Sequence, residues 1–283
     1  MELEGKVALV TGASRGVGAA TCLALAEAGC RVACAARSTA GSPQRTPGTL
    51  DDTVGRIEQM GGEALAVPTN LAVQDEVVAM VASTVSHFGR LDILVNNAAI
   101  TFVGDLSIPL HRHDLVMEVD LRAPIIAIRE AAPHMVAAGG GSIVNVSSLA
   151  ALVPIPGLSS YGVAKVGLER FTLDAARELQ AHGVAVNCFR IDIPVASEGF
   201  VANTPGIDRS DWEPSEVAAE GILWMIRQPP GHSGRRESMY ALRHREGIMA
   251  SRAATPYSRP APPTELFEGL ADETESTFRE PYE

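Results

Sequence analysis

A regular rhythm constrains this chain more than any single motif. Short apolar runs rich in β-branched residues alternate with longer stretches whose apolar positions recur at helical spacing. "KVALVT" (6–11) reads as a buried strand, and the helix after it runs to Ala28 and is closed by Gly29. "RVACAA" (31–36), "EALAVP" (63–68), "LDILVN" (91–96), "SIVNVS" (142–147) and "VAVNCF" (184–189) repeat the strand pattern. Helices are expected near 50–60, from Gln74 to Phe88, and near 112–138, 159–182 and 214–227, with a short last strand around Glu237–Leu242. Pro124 and Pro133 lie inside the 112–138 helix as candidate kinks. Strands that are apolar on both faces must be covered on both faces. The expected fold is therefore α/β, a doubly wound parallel sheet of about seven strands with helices on each side.

Two segments break the rhythm. "STAGSPQRTPGTLDD" (38–52) reads as a loop or insertion. From about Arg243 the helical pattern weakens, and Pro263–Glu283 carries seven acids against Arg279 alone. Residues 1–242 are read as one domain. Residues 243–283 are read as a C-terminal extension, Pro-containing and acidic towards its end, whose last part has the composition of a disordered tail.

Charge and cysteine usage narrow the function classes. A net charge of -11 over 283 residues argues against nucleic acid as a partner and against electrostatic membrane contact. No apolar run approaches the roughly 18 residues of a membrane helix, and "MELEGKVALV" lacks the basic flank of a signal peptide. Cys22, Cys30, Cys34 and Cys188 show no paired spacing and read as buried thiols of a reduced, cytoplasmic protein. His111 and His113 make no defensible metal spacing and read as exposed residues at a helix start, so no metal is expected.

"TGASRGVG" (11–18) lies between the first strand and the first helix. Gly12, Gly16 and Gly18 there let backbone N–H groups approach a pyrophosphate at a helix N-terminus, where the dipole favours an anion. Strand two ends in Ala36-Arg37, without the carboxylate that would bond a ribose 2′-hydroxyl. Arg37 in its place suits a 2′-phosphate, and Arg45 in the insertion is a further candidate. NADP(H) is therefore the preferred cofactor, with NAD(H) possible. Tyr161 and Lys165 in "YGVAK" share one helix face, so the ammonium is placed to lower the phenol's pKa, ordinarily near 10. Ser148 precedes Tyr161 at the end of strand five, where its hydroxyl can donate to a carbonyl oxygen.

The GxxxGxG turn, "NNAA" (96–99), Ser148, Tyr161 and Lys165, in that order, resemble the short-chain dehydrogenases/reductases over about residues 3–242. The resemblance implies a single Rossmann-type domain with catalytic residues Ser148, Tyr161, Lys165 and Asp120. In these roles Tyr161 moves the hydroxyl proton, Lys165 holds the nicotinamide ribose and Ser148 orients the carbonyl. Asp120 stands where the family has an Asn acting through its backbone carbonyl, and its carboxylate puts the pH profile in question. The implied cofactor contacts are Gly12, Ser14, Arg15, Gly16, Val17, Gly18, Arg37, Asn70, Leu71, Asn97, Ala98, Tyr161, Lys165, Val195 and Ser197. Ala99 replaces a family Gly. In "NCFRIDIPVAS" (187–197), Ile191-Asp192 replace Pro-Gly. Strict counting puts the nicotinamide donor on Pro194, which has no N–H, and the hydroxyl position on Ala196. A one-residue slip to Val195 and Ser197 restores both and is preferred.

"LAALVPIPGLSS" after Ser148, together with Phe102, Val103 and the lid residues Phe200, Val201 and Ile207, suggests an apolar pocket for a hydrophobic ketone or secondary alcohol. The resemblance also implies a homodimer or homotetramer. The competing reading is a cofactor-binding scaffold or sensor with weak or no catalysis, motivated by Asp120 and the altered loop.

Overall fold

The computed structural model describes residues 1–104 and 106–263. The chain alternates strand and helix. β1 (Val7–Thr11), β2 (Arg31–Ala36), β3 (Ala64–Pro68), β4 (Ile93–Asn96), β5 (Gly141–Ser148), β6 (Val184–Ile191) and β7 (Arg236–Ser238) form one sheet. Its order is β3-β2-β1-β4-β5-β6-β7, and every neighbouring pair is parallel. The direction of winding reverses between β1 and β4, and in open sheets of this kind ligands bind beyond the strands' carboxyl ends at such a switch point.

The helices are α1 (Gly16–Glu27), α2 (Leu50–Gln59), α3 (Gln74–Phe88), α4 (Leu110–Met117), α5 (Ala123–Ala137), α6 (Ser159–Leu179), α7 (Glu198–Asn203), α8 (Ser215–Arg227) and α9 (Met239–Glu246). Side-chain alternation along the strands feeds two cores. Ala8, Val10, Val32 and Cys34 pack beside Leu25 of α1, Ile57 of α2 and Ile222 of α8. Val7, Leu9, Leu94 and Ile143 pack on the opposite face beside Val77 of α3, Ala127 of α5 and Ala175 of α6. All four cysteines are free and buried. Among the described residues no helix is long and apolar enough to cross a membrane.

Three sequence expectations are corrected. The last strand is shorter and earlier than 237–242. Ser238 ends β7 and its side chain accepts from the Ala241 N–H, capping α9, so 239–246 is helical. The 112–138 helix begins at Leu110 and is interrupted by a π-helical turn, Glu118–Arg122. Pro124 explains where that turn falls, because it has no N–H to donate to the carbonyl of Asp120 four residues earlier. His113 is not an exposed residue: its Nδ1 lies 2.8 Å from Ser160 Oγ, joining α4 to the first turn of α6.

The beginning of the C-terminal extension is ordered against the body. Met249 is buried beside Gly221 of α8, and Tyr257 lies near Tyr240 of α9. The acidic stretch from 264 onward, read from composition as a disordered tail, lies outside the described residues.

Candidate active site

The glycine turn is fixed from behind. A Cβ on Gly18 would sit 2.2 Å from the Gly12 carbonyl oxygen, so only glycine permits this approach of helix to turn. Gly12 has φ +70 and Gly16 φ +57, both left-handed. Asn97 Nδ2 donates to the Thr11 carbonyl at 2.9 Å, and the N–H groups of Asn97 and Ala98 donate to Thr11 Oγ1 at 3.1 Å. Asn97 thus ties the end of β4 to the glycine turn, and its side-chain amide is engaged in that tie. Arg15 caps α1 with extended backbone and no side-chain bond to the first turn, which leaves that turn's N–H groups available to an anion.

Positive charge gathers beside the turn. Burial lowers the Arg15 pKa, Glu198 opposes the shift, and the like charge of Arg37 reinforces it. Arg15 donates to the Gly48 carbonyl at 2.7 Å, so the insertion after β2 folds back onto the glycine turn and holds this guanidinium in place. Its Nε has no partner among the described residues. Two adjacent guanidiniums with a free donor fit a phosphate. Arg37 and Arg45 are exposed. Asn70 Oδ1 accepts from the Ala72 N–H at 3.2 Å, so part of its acceptor capacity closes its own turn, and Leu71 beside it is half-buried.

The candidate proton-handling residues converge at the carboxyl ends of β4 and β5. Ser148 is the last residue of β5, and the Ala150 N–H donates to its Oγ at 3.3 Å, orienting the hydroxyl. Tyr161 stands in the first turn of α6 and hydrogen-bonds Ser148. Lys165, one turn on, is buried. Its Nζ donates to the Val146 carbonyl at 3.0 Å and lies 5.5 Å from the centre of the Tyr161 ring. The net effect on the phenol differs from the expectation drawn from the pair alone. Burial raises the Tyr161 pKa above 10 and outweighs the lowering by Lys165 and Ser148, while the Asp120 charge adds to the rise.

Asp120 lies in the π-helical turn and is fully buried. Its Oδ1 accepts from the Ile100 N–H at 2.8 Å, and its Oδ2 has no partner among the described residues. Burial pushes its pKa up to about 7, against the pull of Lys165 and the Ile100 N–H. The side chain therefore anchors the loop after "NNAA".

The loop after β6 is held by a partner that the sequence did not reveal. Ala196 N–H donates to the Glu213 carbonyl at 2.8 Å, and Glu213 N–H donates to the Pro194 carbonyl at 2.9 Å, making a parallel bridge between Val195 and Glu213. With the Ala196 N–H taken, the Val195 N–H is without a partner among the described residues. Ser197 caps α7 and rests against Gly16, whose Cβ would lie 3.0 Å from Ser197 Cβ. Of this loop, Ser197 is the residue that reaches the glycine turn, and Val195 is buried at the bridge to Glu213.

The loops read as apolar pocket walls are arranged as follows. Gly104 N–H donates to the Gly157 carbonyl at 3.0 Å, placing exposed Val103 against the loop after Ser148. Phe102 carries the Arg112 guanidinium over its ring. On the lid, Phe200 stacks on buried Trp212 with ring centres 4.6 Å apart, and Ile207 is exposed. A buried polar cluster adjoins the candidate catalytic residues. Glu169, one turn beyond Lys165, takes a bidentate bond from Arg190 (2.8 and 2.6 Å) and a bond from Ser147 Oγ at 2.7 Å. Sequence reasoning passed over it, although a charged pair inside a buried strand and a helix face was the available signal.

The short chain dehydrogenase family model matches residues 6–193. The chain belongs to the short-chain dehydrogenase family. It is 38% identical over 205 residues to a 3-oxoacyl-(acyl-carrier-protein) reductase from Synechocystis sp., covering 71% of this chain and 76% of the relative. It is 39% identical over 183 residues to a reductase of the same description from Staphylococcus aureus, covering 64% and 72%. Among solved structures it resembles a short chain dehydrogenase from Burkholderia cenocepacia in complex with NADP, with TM-score 0.74, 32% identity and coverage of 84% and 97%. The chain is thus an oxidoreductase of a known family on a Rossmann-type fold.

Proposed function

We propose that this oxidoreductase interconverts a hydrophobic ketone and the corresponding secondary alcohol with NADP(H), using Tyr161 as general acid/base. The observation that supports the reading is the convergence of Ser148, Tyr161 and Lys165 at the carboxyl end of β5. When bound, the nicotinamide would supply or accept the hydride. This chain's residues do the rest. Arg15 and Arg37 would hold a 2′-phosphate, the first turn of α1 the pyrophosphate, and the Val195 N–H with Ser197 the nicotinamide end.

Burial keeps the Tyr161 phenol protonated, the form a ketone oxygen needs as negative charge develops on it. Ser148 Oγ, turned by the Ala150 N–H, donates a second hydrogen bond to the same oxygen. The buried Lys165 ammonium stabilises the phenolate left behind. The exposed apolar side chains of Val103, Phe200 and Ile207 favour a hydrophobic substrate, and the 3-oxoacyl reductases among the relatives add 3-oxoacyl thioesters to the candidates.

A panel of aryl, terpenoid and steroid-like ketones plus a 3-oxoacyl thioester, assayed with NADPH and with NADH, tests the reading. Turnover with NADPH and a hydrophobic ketone is expected. Tight NADPH binding without turnover on any member would favour the scaffold reading, and tighter NADH binding would overturn the cofactor choice.

A further inference from the structure

The bridge that holds the nicotinamide-side loop depends on one residue, Glu213, whose own anchors come from the C-terminal extension. Glu213 is 1% exposed, yet carries a carboxylate. Such a charge persists only where cations and donors surround it. Arg243 Nη1 of α9 lies 2.8 Å from Oε1, and the Arg252 N–H donates to Oε2 at 2.9 Å. With a Ser251 hydrogen bond added, these contacts outweigh burial and hold the carboxyl below its usual pKa, so it is ionised at neutral pH. The backbone of the same residue makes both hydrogen bonds to Pro194–Ala196.

The extension reinforces the neighbourhood on either side. Thr255 N–H donates to the Ser210 carbonyl at 2.8 Å, and Arg259 Nε lies 3.2 Å from Asp211 Oδ2. These two residues precede Trp212, on which the lid residue Phe200 stacks. Arg252 also pairs with Glu220 of α8, which fixes the strap to the body. At the start of the loop, Asp192 Oδ1 accepts from the Tyr240 N–H at 2.9 Å in the first turn of α9, so the Ile191-Asp192 departure is itself wired to the C-terminal region.

We propose that residues 243–259 form a positioning strap for the cofactor's nicotinamide end. Glu213 and Arg243 are its positioning residues, holding the 194–197 loop and the base of the lid. The strap rests on the NADP(H) reading above. Among the described residues its hydrogen-bond and ion-pair partners outside α9 include Ser210, Asp211, Glu213 and Glu220, none of them at the glycine turn or Arg37, where the adenosine end would bind. Its loss therefore acts on one half of the cofactor.

The test compares full-length wild type, Arg243→Met and Arg243→Lys. Calorimetry gives the affinity for NADPH and for 2′,5′-ADP, which carries the adenosine and 2′-phosphate but no nicotinamide. Amide exchange is followed at Ala196. Arg243→Met is expected to weaken NADPH about tenfold, leave 2′,5′-ADP within twofold, and raise exchange at Ala196. Arg243→Lys is expected to recover most of the loss. Equal weakening of both ligands, or of neither, overturns the strap. Should Arg243→Met fail to fold, wild type alone decides: NADPH must protect Ala196, Arg252 and Thr255 together, and protection of Ala196 without the strap amides overturns it. A wild type that binds neither ligand sinks the cofactor reading alone. The strap then stands or falls on Ala196 exchange in unliganded Arg243→Met.

Discussion

Replacing Asp120 by Asn gives a prediction whose size follows from the site. The carboxylate is fully buried with one hydrogen bond, from Ile100, and an Oδ2 without a partner among the described residues. Lys165 and the Tyr161 phenol are the titratable groups facing it, and they do not compensate its burial, so the folded pKa stands at about 7 against an ordinary 3.8. A raised folded pKa means that the folded protein binds the proton more tightly than the unfolded chain. The stabilisation is present in full below about 3.8, falls as pH rises, and is lost by about 7. At about 1.4 kcal/mol per pH unit, the ceiling is ~4 kcal/mol. Asn keeps the acceptor for the Ile100 N–H and cannot ionise. Unfolding by urea from pH 5 to pH 8.5 should show Asp120→Asn gaining on wild type as pH rises, with the difference levelling off above about 7. A difference that stays flat across this range would refute the assignment of a buried, proton-poised carboxyl.

Three further outcomes follow from the same geometry. Arg37→Ala should weaken NADPH by about 10- to 100-fold, from a charge-assisted bond of roughly 1.5–3 kcal/mol, and leave NADH unchanged in calorimetry. Glu169→Gln breaks the buried bidentate pair with Arg190 and should cost about 3–5 kcal/mol of unfolding free energy, part of which a second change of Arg190→Met restores. Gly18→Ala forces a methyl to 2.2 Å from the Gly12 carbonyl oxygen, so cofactor binding should be abolished or the soluble fold lost.

The sheet was legible because strands buried on both faces are written as continuous apolar runs, and β1, β2 and β6 begin within a residue of where those runs do. Catalytic candidates were legible where spacing maps directly to a helix face, as with Tyr161 and Lys165. Contacts between distant segments were not. Glu213 gives no local sign that it pairs with 194–196, and nothing in "HRH" announces that His113 reaches Ser160. The misread end of the chain is instructive. "SMYALRHRE" contains a Ser cap and helical spacing, and the Ser238 cap ends the strand and starts α9. The Tyr161 pKa could not be ranked from sequence either, because burial competes with a lysine one turn away and only the enclosure decides.

Single-turnover reduction of a hydrophobic ketone by enzyme preloaded with NADPH, followed by nicotinamide absorbance, tests the central claim. Tyr161→Phe removes only the phenolic proton donor. The account predicts a hydride-transfer rate lowered by roughly 10²–10⁴-fold, the range for losing a general acid, at saturating NADPH. A Tyr161→Phe variant that transfers hydride at the wild-type rate would contradict it.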